Sequence, residues 1–232
     1  MRQVLRGAVC LTIGLMAAGC QFQTPDGEAL SLKEYDSVTV ADVKFENSVS
    51  KKEIAPLLKA YLQTDVVASD RWKLADDFDL EAVGKMVEEY ATTPGTINGK
   101  PVKPAMTREE FAEQHAKTRR KLEPRLGEGK GTRPVTLKVV VTKLRFPENL
   151  ESITLGSKAS MECRAEVHVD GQLRGSTKVI GIAGLPGVPL LPASMVERAA
   201  TSLIFDKYTR KHVLQLIDET SQDIVDALDR TK

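Results

Sequence analysis

The chain has 232 residues, of which 41% are hydrophobic, with 33 basic and 32 acidic side chains. The length suits one core with room for a small insertion, and the even charge gives no electrostatic reason to expect nucleic acid as a partner. Three cysteines, Cys10, Cys20 and Cys163, are too few for a disulfide framework.

The first segment, Met1-Arg2-Gln3-Val4-Leu5-Arg6 followed by Gly7 to Gly19, has no acidic residue, and none follows before Asp26. Two arginines ahead of roughly a dozen apolar residues read as a secretory signal. A membrane span needs about 20 apolar residues. The run ends in Ala17-Ala18-Gly19-Cys20, which resembles the lipobox of bacterial lipoproteins, with Ala17 where that family most often has leucine. The resemblance implies cleavage after residue 19, lipid on the Cys20 thiol, and loss of Cys10 with the leader. Two or three acyl chains, at about 0.8 kcal/mol per buried methylene, hold a protein to a membrane almost permanently. Gln21, where aspartate marks inner-membrane retention in that family, implies an outer-membrane location facing the periplasm. The leader takes Arg2 and Arg6 with it, leaving 31 basic against 32 acidic side chains. Residues 20–34 read as a lipidated tether. Its polar stretch, Gln21 to Ser31, spans at most about 40 Å at 3.3–3.6 Å per residue.

Residues 35–232 read as a single domain. Tyr35 to Phe45 is a first strand, with Val38 and Val40 on one face and Ala41, Val43 and Phe45 on the other, a pattern of a strand covered on both sides. Ile54, Leu57, Leu58, Tyr61, Leu62 and Val66 form one apolar helical stripe. Ser50 and Glu53 have capping-box spacing, while Pro56 suits a slightly later start. Arg71 to Leu74 is a short second strand. Residues 76–134 carry the turn sequences Thr93-Pro94-Gly95, Asn98-Gly99-Lys100-Pro101 and Gly127 to Gly131 around helices over Leu80–Tyr90 and Thr107–Leu122. The second helix has a capping box in Thr107 and Glu110, but a thin apolar face of Phe111, His115 and Leu122. This region reads as a helical insertion, more mobile than the core.

Val135, Leu137, Val139 and Val141 alternate with polar residues as a strand, and the parity change to Leu144 and Phe146 predicts a bulge near Thr142-Lys143. Met161, Cys163, Ala165, Val167 and Val169 form the apolar side of the next strand. A two-residue Asp170-Gly171 turn would bring Arg174, Ser176 and Lys178 onto that side. The alternation therefore predicts a three-residue Val169-Asp170-Gly171 loop, pairing Val167 with Leu173, Met161 with Val179, Glu166 with Arg174 and Glu162 with Lys178. From Ser194, capped with Glu197, a helical stripe runs through Val196, Ala199, Ala200, Leu203 and Ile204 to Leu214, Ile217, Ile224, Val225 and Leu228. Lys207, Arg210 and Lys211 interrupt it, which predicts a break, bend or exposed turn around Asp206 to Lys211. The fold class is α+β: a mixed or antiparallel sheet with helices packed on it, a long C-terminal helical region and the insertion.

Chemistry-bearing patterns are sparse. His115, His168 and His212 show no paired metal-ligand spacing and read as solvated or partly packed. Ser48-Val49-Ser50-Lys51 has the Ser-x-x-Lys form without its companion motifs, and reads as a cap. Asp76, Asp77, Asp79 and Glu81 lack the glycine spacing of a calcium loop and suit a helix start. Gly127 to Gly131 lacks the strand–helix context of a phosphate loop. Cys163 is expected buried and inert, and Trp72 packed on the core. No cofactor or metal is expected, and no catalytic set. The exception to a polar surface is Gly181 to Ala193, which has no charge and no hydrogen-bonding side chain. It either tucks over its own core or presents Leu185, Val188, Leu190 and Leu191 to a partner protein, a second copy or lipid.

The order of elements and the Tyr35-Asp36-Ser37-Val38-Thr39-Val40 strand start resemble auxiliary lipoproteins of ABC transporters and the amino-terminal domain of TolB. The resemblance covers Tyr35 to about Leu74 and Val135 to Leu228, and carries no site residue. The function expected is a non-catalytic, membrane-anchored envelope lipoprotein that binds or helps assemble a partner complex. The alternatives are an enzyme acting on cell wall or lipid, which requires a cleft with perturbed carboxylates, and a binder of small apolar ligands, which requires a closed cavity between sheet and long helix.

Overall fold

The computed structural model describes residues 21–46, 53–97, 100–146, 159–183 and 210–232. The strands are β1 (Ser37–Val40), β2 (Lys44–Phe45), β3 (Lys73–Leu74), β4 (Gly95–Ile97), β5 (Lys100–Val102), β6 (Pro134–Arg145), β7 (Ala159–Val169) and β8 (Gln172–Ala183). The helices are α1 (Ile54–Ala68), α2 (Leu80–Thr92), α3 (Arg108–Leu126) and α4 (Arg210–Asp229). Six strands form one mixed sheet in the order β3-β1-β6-β7-β8, with β2 also on β6. Pairing is parallel from β3 through β1 and β2 to β6, and antiparallel from β6 to β8. The class is α+β.

Alternation decides which face is covered. Val135, Leu137, Val139 and Val141 of β6, Met161, Cys163, Ala165 and Val167 of β7 and Val179 of β8 are all buried. Helices α1 and α4 pack against one another, α4 against β7 and β8 and α1 against β1 and β3, through Leu57, Leu58, Leu62 and Val66 and through Leu216, Ile217, Ile224 and Leu228. At roughly 1.5–3 kcal/mol for each large apolar side chain removed from water, this layer is what holds the fold. Along β7, Glu162, Arg164, Glu166 and His168 point the other way.

Local chemistry sets the element ends. The Asp79 carboxylate accepts from Glu81 N–H and Ala82 N–H, both at 3.0 Å, and starts α2. Thr107 and Glu110 form the reciprocal box that starts α3. That helix continues through Pro124 to Leu126, beyond the Leu122 end read from its apolar face. Between α2 and α3, β4 and β5 pair antiparallel, with Ile97 opposite Lys100. The insertion sits on the core: Tyr90, Ala91, Phe111 and Leu122 belong to the buried cluster.

Three strand details differ from the alternation. The first strand divides because Val40 pairs with Leu137 while Lys44 pairs with Val140. One extra residue between them is a bulge, which explains apolar residues on both faces. The shift in β6 falls between Val141 and Lys143, as the parity change predicted. The β7–β8 turn, however, has two residues, with Asp170 at φ 51° and Gly171 at φ 80°. Two successive positive φ values make the turn whose twist suits a hairpin. Parity is restored by a register shift that leaves Arg174 unmatched, pairing His168 with Leu173 and Val167 with Gly175. Glu162 then lies opposite Ile180, and its ion pair with Lys178 is diagonal. β8 also extends to Ala183, so the first three residues of the uncharged segment are strand.

The capping residues Ser50, Ser194 and Glu197, the Ser48–Lys51 motif, Cys20, and Leu185, Val188, Leu190 and Leu191 lie outside the described residues. Arg210, read as part of an exposed turn, is instead buried in the first turn of α4. Its guanidinium lies 4.2 Å from the centre of the Tyr90 ring and donates to Tyr90 O at 2.7 Å and Thr93 Oγ1 at 3.1 Å. An arginine has both an apolar stem and a stacking plane, and a charge in the pattern therefore misreports its place.

Candidate functional site at the sheet edge

Residues 21–34 are part of the packed domain and not a free tether. Phe22 is fully buried, and Leu30 and Leu32 nearly so. Gln23 N–H donates to Ser176 O at 2.9 Å and Ser176 N–H donates to Gln23 O at 2.8 Å, an antiparallel bridge on the outer edge of β8. The chain turns through Gly27, at φ 86°, and returns with Leu30 N–H donating to Phe22 O at 2.9 Å. Leu32 N–H then reaches Thr231 O at 2.8 Å, closing the segment onto the last residues of the chain. Gly175 makes the close approach possible: a Cβ there would lie 2.8 Å from Gln23 O and 2.9 Å from Leu30 Cδ2. The sequence signal was present in Phe22, Leu30 and Leu32, three large apolar residues in a stretch otherwise polar enough to read as linker.

This hook shortens the reach of anything attached at residue 20. Two residue steps, through Gln21, lead from that position to the buried Phe22, or at most about 7 Å of extended chain, against about 40 Å for a free tether. The direction is also fixed. Because Gln23 is antiparallel to β8 at Ser176, residues before Gln23 run toward residues after Ser176. Gln21 accordingly lines a groove of about 490 Å³ with Gln23, Thr142, Arg164, Thr177 and Lys178. Ala183, from which the uncharged segment continues, ends the same strand five residues past Lys178.

The outer face beside this groove carries a charge ladder. Glu162 accepts from Lys178 Nζ at 2.9 Å and faces Lys143 Nζ at 3.7 Å; the Lys178 hydrogen bond holds it below the usual carboxylate range. Glu166 lies 3.1 Å from His168 Nε2 and 3.0 Å from Arg164 Nε, and is lowered by the His168 hydrogen bond first. Arg164 also reaches Glu46 at 3.2 Å. These pairs are wet at their rims and each contributes little to stability. The face ends in two exposed isoleucines, Ile180 and Ile182.

A second cleft, of about 240 Å³, lies among Trp72, Lys73, Asp76, Asp77, Phe78, Arg125 and Lys130. The acids of the Asp76–Glu81 run have separate structural tasks. Asp76 Oδ2 accepts from Val40 N–H at 2.8 Å, Lys130 pairs with Asp77 and lowers it, Asp79 caps α2, and Glu81 pairs with Arg119. Among the described residues no group of three or more His, Cys, Asp or Glu is placed to hold a metal. His115 stacks on Phe111, His168 is engaged by Glu166, and burial lowers His212. Cys163 is fully buried, and burial pushes its thiol up to about 12. Trp72 is buried under the Lys232 ammonium, 4.2 Å from the ring centre.

Perturbed carboxylates occur elsewhere, where α1 meets α4. Burial pushes Asp65 up to about 7, with Asp218 and Asp226 adding to the effect against a bond from Ser221. Ser221 Oγ lies at 2.5 Å from Asp65 Oδ2 and 3.0 Å from Asp218 O. Burial raises Asp218 and Asp229 as well. Asp65 was not singled out from the sequence; its position three residues after Leu62 and four after Tyr61, on the shoulder of the apolar stripe, was the available signal.

No family model matches this chain, and no curated protein does. Among solved structures it is similar to the hypothetical protein CT253 from Chlamydia trachomatis, at 10% identity and a TM-score of 0.41, covering 84% of this chain and 96% of that one. It is also similar to a PelC dodecamer from Paraburkholderia phytofirmans, at 11% identity and a TM-score of 0.33, covering 88% and 96%. Likenesses this distant carry no functional argument.

Proposed function

We propose that the chain is a non-catalytic envelope lipoprotein, acylated on Cys20, that binds or helps assemble a partner complex close to the membrane, outer by the Gln21 reading. The observation that carries the reading is the hook. It brings Gln21, the residue after Cys20, to a groove that Lys178 lines, five residues along β8 from Ala183, the last described residue of the uncharged Gly181–Ala193 segment. An anchor and an apolar contact segment leaving from one edge suit a protein that works at the bilayer surface. Among the described residues no helix is long and apolar enough to cross a membrane; the anchoring is assigned to lipid on the resemblance of Ala17-Ala18-Gly19-Cys20 to a lipobox.

The rival readings fit less well. An enzyme needs its perturbed acids in a cleft, whereas the raised ones, Asp65 on α1 and Asp218, Asp223 and Asp229 on α4, line neither groove. A small-ligand binder needs space between sheet and long helix, yet a Cβ on Gly181 would fall 2.0 Å from Thr220 Oγ1. The test is crosslinking in intact cells followed by fractionation, comparing wild type, Cys20→Ala and the pair Leu190→Asp with Leu191→Asp. A specific crosslinked protein that is lost in the aspartate pair, with the fold intact, is the expected result. Wild type in the soluble fraction, or a crosslink pattern unchanged in both variants, overturns the proposal.

A further inference from the structure

The outer face of β8 beyond the hook has two exposed apolar side chains, Ile180 and Ile182, 46% and 49% accessible. They alternate with Val179 and Gly181, which face α4, so both point away from the core. Across the sheet, Ile180 pairs with Glu162 and Ile182 with Ser160, and these pair in turn with Lys143 and Arg145 of β6. With Lys178, two residues before Ile180, three basic side chains stand beside the isoleucines; among the described residues Lys143 and Lys178 share Glu162, which leaves the cluster basic. Exposed isoleucine inside a basic rim is the pattern of a surface that meets anionic headgroups with its charges and the acyl boundary with its apolar side chains.

The occupant follows from where the described chain begins. From the Gln23 bridge, Phe22 and Gln21 lead toward higher β8 numbers, and Gln21 lines one groove with Lys178. Whatever is joined to Gln21 at residue 20 is tied by about 7 Å of chain to the buried Phe22, beside the half of β8 that carries Ile180 and Ile182. We infer that the Lys143–Arg145–Lys178 face of the sheet, with Ile180 and Ile182 at its centre, rests against the bilayer that holds the Cys20 lipid, which fixes the orientation of the domain. The inference rests on acylation of Cys20 and goes beyond it, because an anchor alone leaves the domain free to tumble. Leu173, exposed at the hairpin end of the same strand, is nine residues and roughly 30 Å from Ile182, and should stand clear of the membrane.

The full chain is made in cells, purified and reconstituted in vesicles of phosphatidylethanolamine and phosphatidylglycerol, with a benzophenone amino acid replacing Ile182 or Leu173. The mass of the amino-terminal peptide is read on the same samples. Acylated Cys20 with lipid crosslinks several-fold stronger from position 182 than from 173 is the expected result. In wild type, amide exchange over residues 178–183 should slow on vesicles, and the pair Ile180→Ser with Ile182→Ser should abolish that slowing while remaining anchored. Acylated Cys20 with equal crosslinking from both positions, or with position 182 crosslinked to protein only, overturns the orientation and leaves the lipoprotein reading standing. An unmodified Cys20 removes both.

Discussion

Asp65→Asn should make the protein more stable, and more so as the pH rises. The Asp65 carboxyl sits where α1 meets α4, beside a serine whose single hydroxyl proton serves two acceptors, Asp65 Oδ2 and Asp218 O. With Asp65 ionised, Ser221 must donate to it and leave the Asp218 carbonyl; with Asp65 protonated, its own O–H donates to Ser221 and Ser221 donates onward. Asparagine reproduces the second arrangement without a charge. The folded value is about 7 against an ordinary 3.8, so folding takes up a proton between those limits. Stability from this group is thus full below about pH 4, is lost as pH rises toward 7, and is flat above. At roughly 1.4 kcal/mol per pH unit the interval sets a ceiling of about 4 kcal/mol. Asp65 keeps some access to water, which reduces the figure to about 2 kcal/mol, or a rise in Tm of about 4–8 °C for a domain of this size. Because Asp218 and Asp229 are also raised, the wild type alone will slope with pH; the informative quantity is the difference between variant and wild type. Thermal and urea unfolding at pH 5 and pH 8 should give a gap that widens toward pH 8. A gap independent of pH, or a variant less stable at pH 8, would refute the reasoning.

Gly175→Val should expel the hook, since even a Cβ meets Gln23 O and Leu30 Cδ2 at under 3 Å; limited proteolysis should then cut within residues 21–31 much faster, with the circular dichroism of the sheet unchanged. Arg210→Met should cost about 1–3 kcal/mol in urea unfolding, because it leaves the Tyr90 carbonyl without its donor. Arg210→Lys should recover only part of that, lacking the plane that stacks on the ring. The Cys163 thiol, fully buried and raised to about 12, should resist a thiol reagent at pH 8 in native protein and react fully in denaturant; rapid native labelling would contradict its placement.

Much of the fold was legible because burial in this chain follows period. The β6 and β7 alternation, the α1 stripe and Leu214 to Leu228 of α4 each put their apolar residues where the period places them. What escaped was decided by single residues. Arg174 as the unmatched residue lets an Asp-Gly turn coexist with the apolar parity, and no periodicity announces a bulge of that kind. Arg210 was misread because a charge was taken as exposure. The hook escaped because three apolar residues, Phe22, Leu30 and Leu32, are too few to set a period, and their segment docks on elements distant in sequence, at Gly175 and Ser176 of β8 and at Thr231. The candidate site was legible in its parts, a lipobox-like sequence and an uncharged segment, but the position of Gln21 beside the strand that holds Gly181 to Ala183 depended on that tertiary docking.

Acylation of Cys20 is the point on which the functional account turns, and the mass of the amino-terminal peptide from the membrane fraction reads it most directly. The account predicts a peptide that begins at residue 20 and carries the added mass of diacylglycerol, with or without a further acyl chain, and that is absent from Cys20→Ala. A peptide beginning elsewhere, or an unmodified cysteine on soluble protein, would contradict it.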